Sequence, residues 1–371
     1  MPAGRFAFAG GALEVQGFGR RQDEMMTFRN RRLQELALPP GLIRLMLEIA
    51  ESKGRQQLYE KQAGRLLRAL GAAALHQSIE CSTRMDGVTI ELTRLLPLIT
   101  KNVRPQSQSE NEIRGYAQTL KLISTDAPNL RVTPEFLGRL HGIILEGTAD
   151  AEQWRAEESD IIEFRPNELS GIPFRLVPVT EIPRAIDELC KSYNAVLSRQ
   201  EVYPLLAVGA LVLDFLCLHP FRDGNGRVSR LLALLCLYQN GFEIGRCISL
   251  EHLMENSRAD YYVALRKSRE GWREGKHDLV PWLQYFFGVL RLAYAEFERR
   301  VREAMSPRGA MTVLVETAVD GLPVEFTVSE LERTCPGVSH GMICHVLAEL
   351  EKRGRLEHLG RGHGKSWRKK Y

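Results

Sequence analysis

The chain has 371 residues, 44% of them hydrophobic and 26% charged, with a formal net charge of +4. That length can bury a sizeable core and suits two domains or three units, and the composition excludes a disordered or low-complexity protein. The charge is uneven: Glu351 to Tyr371 carries +6 (eight Lys/Arg against two Glu), which leaves −2 for everything before it. The bulk of the chain is therefore no nucleic-acid binder by charge, whereas the C-terminal end is open to that role.

Residues 1–38 read as an irregular arm, Arg-rich towards its end at Arg29, Arg31 and Arg32. Arg5 and several glycines interrupt MPAGRFAFAGGALEV where a signal peptide needs an unbroken apolar stretch. Residues 39–103 form the next unit. Leu42, Leu45, Met46 and Ile49 have amphipathic helical spacing, and a second helix is expected from about Gln56 through Ala74 to Met85, ending at Gly87.

Residues 104–305 form a helical core. Helices are expected at Asn111 to Leu130, Pro134 to Glu146, Ile182 to Leu197, Pro204 to Leu218, Arg227 to Asn240, Leu250 to Arg269 and Leu279 to about Met305. Pro and Gly punctuation between Trp154 and Val179 predicts a loop and a β-hairpin. The longest apolar run, Leu205 to Leu218, is interrupted by Asp214 and too short to span a bilayer, so no membrane partner is expected. Seven cysteines without C-x-x-C spacing read as reduced, buried thiols rather than a disulfide or zinc framework, and with the rest point to a cytoplasmic protein.

Ser306 to Gly309 reads as a linker to a last unit, 310–371. There Thr327 or Ser329 caps a short helix, and a second helix runs from Ser339 to Arg353. Gly354 ends that helix, and a basic hairpin with a glycine-rich tip follows. This is the pattern of a winged helix-turn-helix. The stretch GHGKS near the end looks like a Walker A loop, but Leu359 stands where its first glycine belongs and no helix can follow, so it is a wing tip.

The chemistry is concentrated in HPFRDGNGRVSR, His219 to Arg230, between two apolar helices. A plain helix–helix turn would explain Asp-Gly and Asn-Gly but leave His219, Asp223, Arg227 and Arg230 as chance occupants. A phosphate site explains all of them. Gly224, Asn225 and Gly226 expose backbone N–H groups at a helix start, which is an anion nest. Arg227 and Arg230 add clamps one turn apart, and Asp223 is a hard carboxylate suited to Mg²⁺. His219 is the one group here with a pKa suited to general-base work near neutrality, and Phe221 is placed to turn inward and anchor the loop.

This segment resembles the Fic family signature, H-x-F-x-D/E-G-N-G-R-x-x-R, and every constrained position matches. The similarity runs from about Arg104 to Arg300. It implies a mainly α fold, a Fic helical core with a β-hairpin flap, and adenylyl transfer (AMPylation) from ATP to a protein hydroxyl. By resemblance, His219 deprotonates the target Tyr, Thr or Ser hydroxyl. Asp223 holds Mg²⁺ on the α- and β-phosphates, Gly224, Asn225 and Gly226 line the anion hole, and Arg227 and Arg230 bind phosphates. The flap, within Ile161 to Leu176, docks the target protein as an added strand. Tyr261 or Tyr262 flanks the adenine, against the plainer reading of both as core.

The same resemblance implies an inhibitory helix, S/T-x-x-x-E-G/N, matched by STRMDG from Ser82 to Gly87 with Asp86 in place of Glu. Ser82 and Asp86 share a helix face, so a helix over the site presents Asp86 to Arg230. One methylene less predicts weaker or shifted autoinhibition; the alternative is that Asp86 only terminates the helix. Two other functions remain open: an AMP-removing hydrolase on the same loop, and a winged-helix DNA-binding regulator using His340, His345, Arg353 and Arg361. The winged helix equally allows a protein partner or a homodimer. His141 and His252 read as structural.

Overall fold

The structure, a computed structural model, describes residues 25–60, 64–100, 103–158, 160–163, 172–305, 309–359 and 366–370. In chain order, α1 is Pro40–Glu60, α2 Gly64–Met85, α3 Leu92–Thr100, α4 Gln108–Asp126 and α5 Pro134–Ile144. A hairpin follows, with β1 Asp160–Glu163 antiparallel to β2 Ile172–Arg175 and Ile161 opposite Phe174. Then come α6 Ile182–Ser198, α7 Pro204–Leu218, α8 Asn225–Gln239, α9 Leu250–Asn256, α10 Arg258–Arg269 and α11 Val280–Met305. The C-terminal unit holds α12 Gly309–Gly321, β3 Glu325–Thr327, α13 Val328–Thr334, α14 His340–Lys352, β4 Leu356–Leu359 and β5 Ser366–Lys369.

Helices α7 and α8 form the centre. Both are buried around nearly their whole circumference: α7 is apolar on almost every side, and α8 buries Asn225, Arg227, Ser229 and Arg230 in its first two turns along with its apolar residues. Pro204 starts α7 at a position where its missing N–H costs nothing. The acidic residue that interrupts α7, Asp214, is fully buried yet fully partnered. It accepts hydrogen bonds from Trp272 Nε1 at 2.7 Å, the Thr27 backbone N–H at 2.8 Å and Thr27 Oγ1 at 2.9 Å. Burial pushes its carboxyl up to about 6. The described part of the N-terminal arm is thus fastened to the core, and Met25, Met26, Phe28 and Leu33 are buried with it. Residues 1–24 lie outside the described residues.

Several boundaries differ from the sequence reading. Gln56 belongs to the first helix, which runs on to Glu60. The expected single helix from Leu250 to Arg269 is two, because Ser257 leaves helical geometry and its Oγ donates back to the Leu253 carbonyl. Thr327, not Ser329, caps α13, in a reciprocal capping box with Glu330. Helices α3 and α12 and strand β3 were not anticipated.

The C-terminal unit has a separate small core around Phe326, Leu331, Ile343, Leu347, Leu350 and Trp367. Its sheet order is β3-β5-β4, all antiparallel, with Trp367 paired to Phe326 and His358. The unit is seated on α2 and α11. His76 Nδ1 lies 2.9 Å from the Gly321 carbonyl, and Arg300 reaches Asp320 at 2.9 Å, while Arg355 braces Asp320 from within the unit at 3.0 Å. Residues 306–308 of the expected linker and 360–365 of the expected wing tip, Arg361 included, lie outside the described residues. Among the described residues no helix is long and apolar enough to cross a membrane.

Candidate functional site

The loop between α7 and α8 is built by two left-handed residues. His219 closes α7 at φ 48°, and Gly224 precedes α8 at φ 78°, a conformation that costs glycine least. Between them Phe221 turns inward and is fully buried. Its ring stacks on His141 at 3.8 Å and on Trp154 at 4.8 Å. Asn225 locks the turn from the inside: Oδ1 accepts from the Phe221 N–H at 3.0 Å and Nδ2 donates to the Phe221 carbonyl at 2.8 Å. Its side chain is therefore spent on the loop, and its backbone is what faces the nest.

Arg155 holds the first turn from below. Its backbone N–H donates to the Pro220 carbonyl at 2.8 Å, its Nε to the His219 carbonyl at 3.1 Å, and Nη2 to the Val177 carbonyl. His141, fully buried on α5, places Nε2 at 3.1 Å from the Asp223 carbonyl. Burial lowers its pKa to about 4, so it is a neutral prop for the loop. The sequence reading of His141 as structural agrees with this placement.

His219 is half-buried with its ring on the cleft. Burial is the largest cause lowering its pKa to about 4, reinforced by Arg155 and Arg269 and opposed by the nearby Leu216 carbonyl and Asp223. A neutral imidazole keeps one ring nitrogen with a lone pair available to a proton donor. Asp223 is the exposed carboxylate of the loop: Oδ1 accepts from the Gly224 N–H at 2.6 Å and Oδ2 from Arg227 Nη2 at 3.2 Å. A hard oxygen donor at the cleft fits a divalent cation carried on phosphates.

The two arginines differ. Arg227 is wholly buried among three carboxylates: Nη1 donates to Glu112, Nη2 to Asp223, and Nε faces Asp86 Oδ2 at 3.3 Å without hydrogen-bond geometry. Arg230 is held by α2. Its Nε donates to Ser82 Oγ at 2.7 Å, and Nη2 donates to the Ser82 carbonyl at 2.8 Å and to Asp86 Oδ1 at 2.9 Å. The shorter Asp side chain thus reaches Arg230. The absence of a side chain at Gly226 makes this possible: a Cβ there would stand 2.8 and 3.1 Å from the Asp86 oxygens. Gly87, at φ 81°, ends the segment.

His219, Asp223, Gly224, Asn225, Gly226 and Arg230 line one cleft of about 800 Å³, with Asp86 and Gly87 on one wall and α10 on the other; Arg227, expected on phosphates, lies buried behind it. Tyr261 is buried, its ring edge-on to Trp282 at 5.6 Å and to Tyr285 at 5.7 Å, so it is chiefly core with one side on the cleft. Tyr262 is exposed on the rim. Arg222, Arg258 and Arg266 make the rim basic, and the buried Arg269 adds charge to the wall. Sequence reasoning missed Glu112 and the supporting role of Arg155, because their partners lie 115 and 64 positions away.

Residues 131–237 match the Fic/DOC family. The chain carries a Fic/DOC family domain. The Fic domain takes in His219 to Arg230 and the helices on both sides of it. The chain is 23% identical over 252 residues to a protein adenylyltransferase Fic of Nematostella vectensis, covering 65% of this chain and 52% of that one. Over 88 residues it is 31% identical to a Fido domain-containing protein of Dictyostelium discoideum, covering 24% of this chain and 57% of that one. It thus spans somewhat more than half the length of these curated relatives. A Fic family protein of Desulfovibrio desulfuricans has the same fold, with a TM-score of 0.58 at 21% identity, covering 90% of this chain and 97% of that one.

Proposed function

We propose that the Fic domain transfers AMP from ATP to a Tyr, Thr or Ser hydroxyl of a protein, and that α2 holds it inhibited. The observation that carries this reading is the convergence of His219, Asp223, the Gly224–Gly226 nest and Arg230 on one cleft whose last clamp is already taken by Asp86. The name of the Nematostella relative supports the same reaction.

His219, neutral at physiological pH, takes the hydroxyl proton as the oxygen attacks the α-phosphorus. The nest at the start of α8 stabilises the negative charge on the phosphoryl oxygens, while Arg227, wholly buried behind it, holds the Asp223 carboxylate in place. Asp223 would hold Mg²⁺, which supplies charge neutralisation across the phosphates when bound. The pyrophosphate leaves towards Arg230. The target segment lies along the hairpin β1–β2 as an added strand; residues 164–171 between those strands lie outside the described residues. Tyr262, and the cleft side of Tyr261, flank the base.

Asp86 inhibits by occupying Arg230, so that the γ-phosphate must displace a carboxylate or bind elsewhere. The C-terminal unit we read as a winged helix, with helices α13 and α14 followed by the hairpin β4–β5, for a DNA or protein partner. Incubation with labelled ATP tests the whole reading. Label should enter protein with wild type, more with Asp86→Ala and not with His219→Ala. Release of AMP from a modified protein instead would favour the hydrolase.

A further inference from the structure

A second cluster of reactive side chains lies on a different face of α2 from the one that holds Arg230. Cys81, His252 and Glu255 each turn one ligating atom to a common point, and the three atoms lie within 4.8 Å of one another. Cys81 comes from α2, and His252 and Glu255 from one face of α9 at i, i+3 spacing. Cys81 Sγ is 3.5 Å from His252 Nδ1. We propose that Cys81, His252 and Glu255 form a site for a transition-metal ion of the zinc type, bridging α2 and α9.

Three features beyond proximity support it. The backbones are fixed independently of any ion: Ser78 Oγ bonds Ser249 Oγ at 2.9 Å and Glu251 at 2.7 Å, and Ser249 caps α9 through the His252 N–H. His252 has an outer partner, Asn256 Nδ2, at 3.1 Å from Nε2. Turning over that amide would offer Oδ1 to an Nε2–H, the arrangement that orients metal-bound histidines. The site also opens to a cleft of about 270 Å³ between α2, α9 and the C-terminal unit, lined by Glu80, Asp320 and Lys369 among others. The cleft gives an entry path and a fourth position for water or Glu80.

The donor set chooses the ion. One sulfur, one imidazole nitrogen and one carboxylate oxygen suit zinc, whereas calcium and magnesium require oxygen ligands throughout. Arg84 now acts as the cation there. It donates to Glu255 through Nε at 2.5 Å and Nη2 at 2.6 Å, to Glu80 at 2.7 Å, and lies 3.7 Å from Cys81 Sγ. Its side chain is partly exposed and can swing into solvent. Binding therefore exchanges the guanidinium for the ion and releases the Cys81 thiol proton, leaving a thiolate ligand. Cys81 directly precedes Ser82, so the ion would fasten α2 at the residue that holds Arg230.

Cobalt(II) added to the metal-freed full chain reads the site directly. Wild type should take up one equivalent with a thiolate-to-cobalt charge-transfer band that zinc then abolishes, and zinc should slow amide exchange in α2. The band should vanish in Cys81→Ser and weaken in His252→Ala and Glu255→Gln, with thermal melts establishing that each variant is folded. Arg84→Gln separates the site from a mere ion-pair cluster: it should bind cobalt more tightly than wild type. A wild-type chain without the band, a band that survives in a folded Cys81→Ser or is unchanged in both His252→Ala and Glu255→Gln, or weaker binding by Arg84→Gln, overturns the proposal.

Discussion

Replacing Asp86 by alanine removes one charge-assisted hydrogen bond, to Arg230 Nη2 at 2.9 Å, and one ionic contact, to Arg227 at 3.3 Å. The Arg227 contact lacks hydrogen-bond geometry, and Arg227 keeps Glu112 and Asp223, so the Arg230 bond dominates the change. Arg230 itself keeps both bonds to Ser82 and stays in place. A hydrogen bond between charged groups contributes about 1.5–3 kcal/mol. If ATP must displace that bond, its removal favours the productive complex by roughly 10- to 100-fold. The assay is the initial rate of AMP incorporation against ATP concentration for wild type, Asp86→Ala and the near-isosteric Asp86→Asn. Both variants should gain most at low ATP. Rates equal to wild type across the whole range, in variants that melt like wild type, would refute the inhibitory role and leave Asp86 as a helix terminator.

The other predictions concern the loop and its base. Phe221→Ala empties the space between His141 and Trp154 and should cost about 3–5 kcal/mol, read by urea denaturation; a loss of well under 1 kcal/mol contradicts the anchoring role. In the Asp86→Ala background, the acid limb of kcat/KM should fall near pH 4, because burial lowers the His219 pKa and the base works only when neutral; a limb near 6.5 contradicts it. His141 gives a stability signature. Folded, it is neutral down to about pH 4, whereas the unfolded chain takes up the proton from about 6.5 downwards. Its contribution is therefore complete above about pH 6.5 and is lost as pH falls towards 4, by at most about 1.4 kcal/mol per unit. Against wild type, His141→Gln should flatten the denaturation profile in that window.

The loop from His219 to Arg230 was legible because base, carboxylate, nest and clamps are contiguous, and only the turn between α7 and α8 had to be right. Phe221 was legible for the same reason, since an aromatic residue in a polar loop needs somewhere to go. Asp86 was found through the resemblance of Ser82 to Gly87 to the family's inhibitory helix, but its fit to the arginines depends on the bare Gly226, a neighbour only in space. Glu112 and Arg155 carry no local mark of their partners. Tyr261 and Tyr262 are adjacent in sequence and take opposite environments, which one turn of amphipathic helix decides and a dipeptide does not. The break at Ser257 was hidden because the apolar pattern continues across it. The cluster at Cys81 eluded motif spacing because its ligands are 171 positions apart.

The central claim is AMP transfer by His219 from a cleft that Asp86 restrains. It is tested most directly with ATP labelled at the α-phosphate and, separately, at the γ-phosphate, on Asp86→Ala and on Asp86→Ala with His219→Ala. The account predicts that α-label, and not γ-label, becomes covalently attached to protein with Asp86→Ala, and that the double variant attaches neither. Attachment of γ-label, or α-label that persists without His219, would contradict it.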